Sequence, residues 1–129
     1  MADTKTLLIV DDDPITCKVF AYHLRQAGFE VFLASNGAEA LAILSGVLPD
    51  LILLDIQMPV LDGRQFLKHF KAKGWPPVPI IVVTASNVTR KWVEDHGCSG
   101  LIRKPVEPDS LPRQIQRCWE ECTLFALSI

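Results

Sequence analysis

The chain has 129 residues, of which 49% are hydrophobic and 22% charged, and its formal net charge is −2 at pH 7. These values are typical of one globular domain. The near-balanced charge, with no run of Lys or Arg, argues against direct nucleic-acid binding, which needs a basic face. No apolar stretch approaches the roughly 20 residues of a membrane helix, and the N-terminus turns acidic where a signal peptide has its apolar segment. We therefore expect a single domain over residues 1–129, in the cytoplasm and without membrane contact.

The cysteine spacing argues against a zinc site. The four cysteines, Cys17, Cys98, Cys118 and Cys122, include no CxxC pair, and structural zinc sites usually contain such pairs. We expect free, mostly buried thiols, as in a reducing compartment.

The first half of the chain predicts three strands separated by two helices. Residues 7–10 form an apolar run, which predicts the first strand. Asp13 and Pro14 then predict the N-cap and the first position of a helix that continues over 15–27. The remaining elements expected in this half are a strand over 29–34, a short helix over 38–44 and a strand over 51–54.

The second half continues the same alternation. Phe66 and Phe70, at helical spacing, indicate a third helix, which a loop over 71–77 follows. Asn87 is a candidate N-cap for a fourth helix, and Gly97 is a candidate end. The remaining elements expected in this half are strands over 80–84 and 98–102 and a last helix over about 110–125.

Strands and helices that alternate in this way build a parallel sheet with helices on both faces. We expect an α/β, flavodoxin-like doubly wound sheet of five parallel strands in the order 2-1-3-4-5, with five helices. In that order, the ligand crevice lies at the carboxyl ends of the first and third strands.

Carboxylates follow those two strands. Asp11, Asp12 and Asp13 come directly after the first strand, and Asp55 follows the third. Two unit charges about 4 Å apart repel by roughly 4 kcal/mol at an effective dielectric near 20, so such a cluster requires a positive group or a protonated carboxylate. An all-oxygen ligand set selects a hard cation such as magnesium. We expect Asp13 to act only as a helix cap.

Two further polar residues stand at strand ends. Thr84 ends the fourth strand, and Lys104 follows the fifth. Carboxylates, a hydroxyl and a lysine around a magnesium ion are the groups needed to transfer a phosphoryl group. A carboxylate can act as the nucleophile and form an aspartyl phosphate.

Four segments at these strand ends carry a family resemblance. They read LLIVDDDP, LILLDIQMPVLDG, IIVVTAS and LIRKP. The set, in this order, resembles the receiver domain of two-component response regulators. The resemblance covers about residues 5–123, which leaves a short C-terminal tail.

The resemblance implies a signalling switch that is phosphorylated on Asp55 in a reaction dependent on Mg²⁺ (or Mn²⁺). Asp12 would be a direct metal ligand, and Asp11 would bind through water or tune the site. Asp55 itself and the backbone carbonyl of Gln57 would complete the protein ligands. Such a domain is not an enzyme in the usual sense, because it catalyses only its own phosphorylation and dephosphorylation.

The resemblance also assigns the remaining strand ends, with two departures. Thr84 would hydrogen-bond the phosphoryl group and Lys104 would pair with it, with a cis bond to the following proline. Leu101 stands where the family often has Tyr or Phe, so the aromatic rotamer switch cannot operate in its usual form. Gln57 and Ser86 occupy positions that flank the path of the hydrolytic water in this family.

Partners follow from the same resemblance. It implies a sensor histidine kinase or a histidine phosphotransfer protein as phosphodonor, and a downstream protein or a second copy of the chain as target. We expect the target to bind a face around Trp92, Leu101 and Trp119. A phosphorelay role stays open, in which Asp55 passes its phosphoryl group to a histidine phosphotransfer protein.

Three rival interpretations fit the residues less well. A magnesium-dependent phosphohydrolase of the haloacid-dehalogenase type needs a DxDx[TV] motif, and here Ile15 follows Pro14. A flavodoxin needs a hydroxyl- and glycine-rich loop after the first strand, where this chain has acids. A catalytically dead receiver would not be expected to keep the complete acidic set.

Overall fold

The computed structural model describes the backbone of residues 4–128 and the side chains of residues 4–120. Strands and helices alternate throughout, as predicted. A single 3₁₀ turn, Pro108–Ser110, precedes the last helix. The elements are β1 (Thr6–Val10), α1 (Pro14–Gln26), β2 (Glu30–Ala34), α2 (Gly37–Leu44), β3 (Leu51–Leu54), α3 (Gly63–Ala72), β4 (Ile80–Thr84), α4 (Arg90–Asp95), β5 (Gly100–Arg103) and α5 (Leu111–Ser128).

The five strands form one parallel sheet in the order β2-β1-β3-β4-β5, which confirms the predicted topology. The register brings the strand ends to one level. Val10 lies opposite Leu54 across the β1–β3 pair, and Thr84 lies opposite Arg103 across the β4–β5 pair. The residues that follow β1 and β3 therefore meet at the same edge of the sheet.

Alternate residues of the strands pack into two hydrophobic cores, one on each side of the sheet. Leu8 and Val10 belong to the core under α2, α3 and α4 (the α2–α4 core). Leu7 and Ile9 belong to the core under α1 and α5 (the α1/α5 core). Because both sides of these strands are covered, their sequences are continuous apolar runs rather than alternating ones.

Local capping explains where the first two helices begin. The Asp13 side chain accepts a hydrogen bond from the Ile15 N–H, and Pro14 occupies the first turn of α1, as predicted. In α2 the Asn36 side chain accepts from the Glu39 N–H. Each cap satisfies a backbone donor that has no partner within the helix.

The predicted start of the fourth helix is wrong. Thr89, not Asn87, is the N-cap of α4, and its side chain accepts from the Trp92 N–H. Val88 is buried in the α2–α4 core, so the loop still packs inward at that residue and the helix begins after it.

Three other boundaries differ from the predicted ones by two or more residues. The third helix continues through Lys71 to Ala72, where a loop was expected. β5 begins at Gly100 rather than Cys98, and the last helix extends beyond residue 125, to Ser128. Among the described residues, no helix is both long and apolar enough to cross a membrane.

The start of α3 is packed against the end of β3. Asp62 and Gln65 form a reciprocal capping box at the N-terminus of α3. The Gly63 N–H donates to the Ile56 carbonyl at 2.9 Å. A Cβ atom at Gly63 would lie 2.7 Å from the Asp55 carbonyl oxygen and 2.7 Å from the Ile56 Cα. The position therefore requires glycine for close approach, and the helix start supports the backbone of Asp55.

We expect Gly63→Ala to lower the free energy of unfolding by about 1–3 kcal/mol, because the methyl group meets backbone atoms that cannot move aside locally. Gly46→Ala is the matched control, since the nearest atom to a Cβ there is 4.0 Å away, and its change should stay within about 0.5 kcal/mol. Urea denaturation of both variants measures the difference. Equal stabilities would show that α3 can shift without cost.

Candidate functional site

Side chains from four strand ends meet above the carboxyl edge of the sheet. Asp11 follows β1, Asp55 follows β3, Thr84 ends β4 and Lys104 follows β5. Because β1, β3, β4 and β5 are neighbours and run parallel, residues far apart in sequence reach one crevice. The structure thus brings together the residues that the sequence analysis selected.

Three carboxylates form the acidic part of this crevice. One oxygen each of Asp11, Asp12 and Asp55 lies within 4.8 Å of the others. Asp11 and Asp55 are buried, at 3% and 7% exposure, whereas Asp12 is exposed. Within residues 4–120 this is the one cluster of three or more acidic, histidine or cysteine side chains arranged as metal ligands.

Lys104 supplies the positive group that the cluster requires. Its Nζ lies 2.7 Å from Asp11 Oδ2 and 3.0 Å from Asp55 Oδ2. The lysine side chain is 21% exposed, so these ion pairs are shielded from much of the solvent. The Lys104–Pro105 peptide bond is cis.

The second oxygen of Asp55 is held from two other directions. The Thr84 hydroxyl donates to Asp55 Oδ1 at 2.9 Å, and the Gln57 N–H donates to the same oxygen at 3.2 Å. Asp11 Oδ1 accepts from the Asp13 N–H at 3.0 Å. Both buried carboxylates are therefore oriented before any ligand binds.

Burial and hydrogen bonding compete at these groups. Burial by itself would lower the pKa of Lys104, but its hydrogen bonds to Asp11 and Asp55 outweigh burial and raise that pKa above its usual range. Burial raises the pKa of Asp11, despite the hydrogen bonds from Lys104 and from the Asp13 N–H. Folding therefore favours the ammonium form of Lys104 and the neutral form of Asp11.

The residues predicted to couple the site to a partner do not all lie together. Ser86 lies beside the site, and its N–H donates to the Thr84 hydroxyl at 3.1 Å. Leu101 and Trp92 pack against the α2–α4 core. Trp119 packs against the α1/α5 core on the other side of the sheet, with Lys5 Nζ 5.5 Å from the centre of its ring. Trp119 therefore lies on the opposite side of the sheet from Trp92 and Leu101.

Cys17 and Cys98 are packing residues, and the Cys17 thiol also donates to the Asp11 carbonyl oxygen at 3.2 Å. Both are buried, and burial raises the pKa of each thiol to about 11. Neither Cys17 nor Cys98 forms a disulfide. The Cys122 side chain lies outside the described residues.

One residue at the crevice was missed in the sequence analysis. Arg103 stands directly before Lys104, and its guanidinium donates to the carbonyl oxygens of Ser86 and Val88. Its position directly after a predicted strand, two residues beyond Leu101, was the available signal. Residues two apart on a strand share a face, so the sequence could place Arg103 on the face of Leu101. It could not show that the loop after β4 brings its carbonyl groups within reach of the guanidinium.

Comparison with known proteins agrees with this arrangement. The model of the response regulator receiver domain matches residues 7–116. The chain belongs to this family. The receiver domain family consists of phosphorylation-dependent signalling switches of two-component systems, rather than enzymes with a separate substrate. The hydrolase and flavodoxin interpretations are thereby set aside.

The receiver domain resembles relatives of about twice its length and relatives of about its own length. It is 36% identical over 115 residues to the response regulator Rre1 of Synechocystis sp., which is 86% of this chain and 50% of that protein. It is 34% identical over 116 residues to the polar-differentiation response regulator DivK of Brucella ovis, which is 88% of this chain and 92% of that protein.

A solved structure of the chemotaxis protein CheY4 of Vibrio cholerae superposes with a TM-score of 0.81 at 30% identity. The match covers 90% of this chain and 99% of CheY4. The receiver domain spans about half the length of the first curated relatives that it matches.

We expect Asp11→Asn to raise the free energy of unfolding of the metal-free protein at neutral pH. The raised pKa means that Asp11 contributes stability below its unfolded pKa, near 3.8, and loses that contribution as pH rises through the folded pKa. Asparagine mimics the neutral carboxyl, so the gain over wild type should shrink as pH falls through the raised folded pKa and should be completely lost by about pH 4. Urea denaturation across that pH range measures it.

Asp13→Asn is the matched control for this measurement. A hydrogen bond from the Thr16 hydroxyl holds the pKa of Asp13 below its usual range, so its charged form is favoured by folding. Asn at residue 13 should therefore give no gain at neutral pH. An equal gain in both variants would assign the effect to overall charge and not to the crevice.

Proposed function

We propose that Asp55 is the phosphoacceptor of a single receiver domain over residues 1–129, with its core at about 5–123. The phosphodonor is the phosphohistidine of a sensor histidine kinase or of a histidine phosphotransfer protein. Phosphorylation then changes which protein the domain binds. The observation that supports this most strongly is the position of Asp55 among an ammonium, a hydroxyl and two further carboxylates.

The chemistry requires positioning and charge neutralisation more than covalent catalysis. A carboxylate oxygen of Asp55 forms the new bond to phosphorus, while the bond from phosphorus to the donor imidazole nitrogen breaks and its electron pair returns to that nitrogen. Lys104 and Thr84 each already lie within hydrogen-bond distance of Asp55. The phosphoryl oxygens would take over these two partners.

A divalent cation fits the remaining side of the crevice. The donor set is oxygen only, and its ligand atoms lie within 4.8 Å of one another, which suits Mg²⁺ or Mn²⁺ and not a thiolate metal. Asp12 would be the direct ligand, with Asp11, Asp55 and the backbone carbonyl of Gln57. When bound, the cation supplies charge that offsets the carboxylates and the incoming phosphoryl oxygens.

The first test concerns the site of phosphorylation. After treatment with acetyl phosphate and Mg²⁺, intact-protein mass spectrometry should show one added phosphoryl group on wild type and none on Asp55→Asn. Asp13 is exposed and directly follows Asp11 and Asp12 in the sequence. The Asp13→Asn variant should be labelled like wild type. Full labelling of Asp55→Asn would contradict the assignment.

The metal requirement is read in the same assay. Excess chelator should abolish labelling of wild type by removing the cation, and Asp12→Ala should reproduce that loss because it lacks a carboxylate that would hold the cation. Mg²⁺ should also stabilise wild type, by about 2.7 kcal/mol at a hundred times its dissociation constant. Labelling that persists in chelator would remove the cation from the mechanism.

Two output roles remain within this proposal. As a messenger, the phosphorylated domain binds a target protein or a second copy through the surface around Trp92 and Leu101. As a relay intermediate, Asp55 passes its phosphoryl group to a histidine of a phosphotransfer protein.

For the messenger role, a stable phosphate mimic such as beryllofluoride should tighten binding of a target by about tenfold, within the usual range of coupling between two sites. NMR shifts should extend from Ser86 to Val93 and from Leu101 to Lys104. Asp55→Asn is the control, since the mimic has no attachment point there. Shifts confined to the metal ligands, together with rapid transfer to a phosphotransfer histidine, would favour the relay role.

A further inference from the structure

Arg103 lies where the phosphorylation site meets the loop that precedes α4. It is the last residue of β5 and is paired with Thr84 of β4. The next residue, Lys104, donates its backbone N–H to the Thr84 carbonyl at 3.0 Å. Arg103 is two residues after Leu101, so both side chains belong to the strand face that looks towards the α2–α4 core.

The Arg103 side chain joins β5 to the loop over residues 85–89. Its Nη1 donates to the Ser86 carbonyl oxygen at 3.3 Å, and its Nη2 donates to the Val88 carbonyl oxygen. A guanidinium is planar and carries several donors in a fixed arrangement, so one side chain can hold two carbonyl groups at once. The loop is thus attached to β5 at two of its five residues.

This attachment continues to the phosphoacceptor. The peptide of Ser86, held at its carbonyl by Arg103, donates its N–H to the Thr84 hydroxyl at 3.1 Å. The same hydroxyl lies 2.9 Å from Asp55 Oδ1 and 3.1 Å from the Ser86 hydroxyl oxygen. An unbroken series of hydrogen bonds therefore runs from Arg103 through Ser86 and Thr84 to Asp55.

We propose that Arg103 is a positioning residue for phosphoryl transfer. It holds the loop over 85–89 so that Ser86 orients the Thr84 hydroxyl towards the phosphoryl group on Asp55. This inference rests on the proposed phosphorylation of Asp55. Leu101 has no aromatic ring that could link β5 to this loop. Arg103, on the same strand face, makes that link instead.

Arg103 does this without touching the metal ligands. Its hydrogen bonds go to carbonyl oxygens of the loop, whereas Lys104 contacts the carboxylates directly. Loss of the guanidinium should therefore free the loop and slow the chemistry while leaving cation affinity unchanged. A general electrostatic role would change both.

The experiment compares Arg103→Gln, Arg103→Lys and the control Arg113→Gln, an exposed arginine of α5. Hydrogen exchange of the amides at 86–89 is measured first, in the unphosphorylated protein. The rate of Asp55 phosphorylation by acetyl phosphate is measured next, at saturating Mg²⁺. The Mg²⁺ dissociation constant is obtained from the metal dependence of the unfolding midpoint.

For Arg103→Gln we expect faster exchange at 86–89 and phosphorylation slowed by about tenfold, which corresponds to a barrier raised by roughly 1.4 kcal/mol. The Mg²⁺ dissociation constant should match that of wild type. Arg103→Lys should behave like Arg103→Gln, because an ammonium keeps the charge but lacks the paired donors. Arg113→Gln should behave like wild type in all three measurements.

Several results would overturn the inference. They are unchanged exchange and rate in Arg103→Gln, full rescue by Arg103→Lys, or a Mg²⁺ affinity that falls in parallel with the rate. If wild type itself is not phosphorylated on Asp55, the proposed function fails and the positioning role fails with it. The exchange measurement still decides whether Arg103 holds the loop, so the two failures can be told apart.

Discussion

The ion pairs of Lys104 with Asp11 and Asp55 are the interaction on which the site depends. They join the ends of β5, β1 and β3 through one ammonium group, although Lys104 follows Asp11 by 93 residues. Without a positive group, carboxylates this close would repel by several kcal/mol at the effective dielectric of a protein surface. One ammonium cannot neutralise three carboxylates, so the crevice keeps a negative excess that a divalent cation can offset.

The excess negative charge lowers the free energy of unfolding, and the buried apolar strands of the sheet offset this loss. Burial raises the pKa of Asp11, so its ionised form opposes folding at neutral pH. Directly beneath it, Leu7, Leu8 and Val10 of β1 are fully buried, as are Ile52 and Leu54 of β3, and each such side chain contributes about 1.5–3 kcal/mol. Rigid apolar strands therefore hold the acidic residues in place, as functional groups with unfavourable local energetics require.

The loop before α4 is the part of the molecule best placed to respond to the site. It is attached to the rest of the protein by burial of Val88 in the α2–α4 core and by the hydrogen bonds of Arg103. At its start, Ser86 contacts the Thr84 hydroxyl, and at its end Thr89 caps α4. A displacement of Thr84 would thus reach Trp92 through a few covalently continuous residues, whether or not an aromatic side chain stands at residue 101.

The sequence by itself determined the alternation of strands and helices and the start of α1, because these follow from local patterns. The strand order and the crevice residues were predicted from the polar residues at four strand ends and from the family resemblance that those segments carry. Apolar runs that end in Asp11, Asp55, Thr84 and Lys104 can meet only if the strands are parallel. The tertiary structure alone decided which residue caps α4, on which side of the sheet Trp119 packs, and what Arg103 contacts. Asn87 and Thr89 are both good caps, and burial of the intervening Val88 selects Thr89. The partners of Arg103 belong to a loop from another strand, and only the folded register brings that loop within reach of its guanidinium.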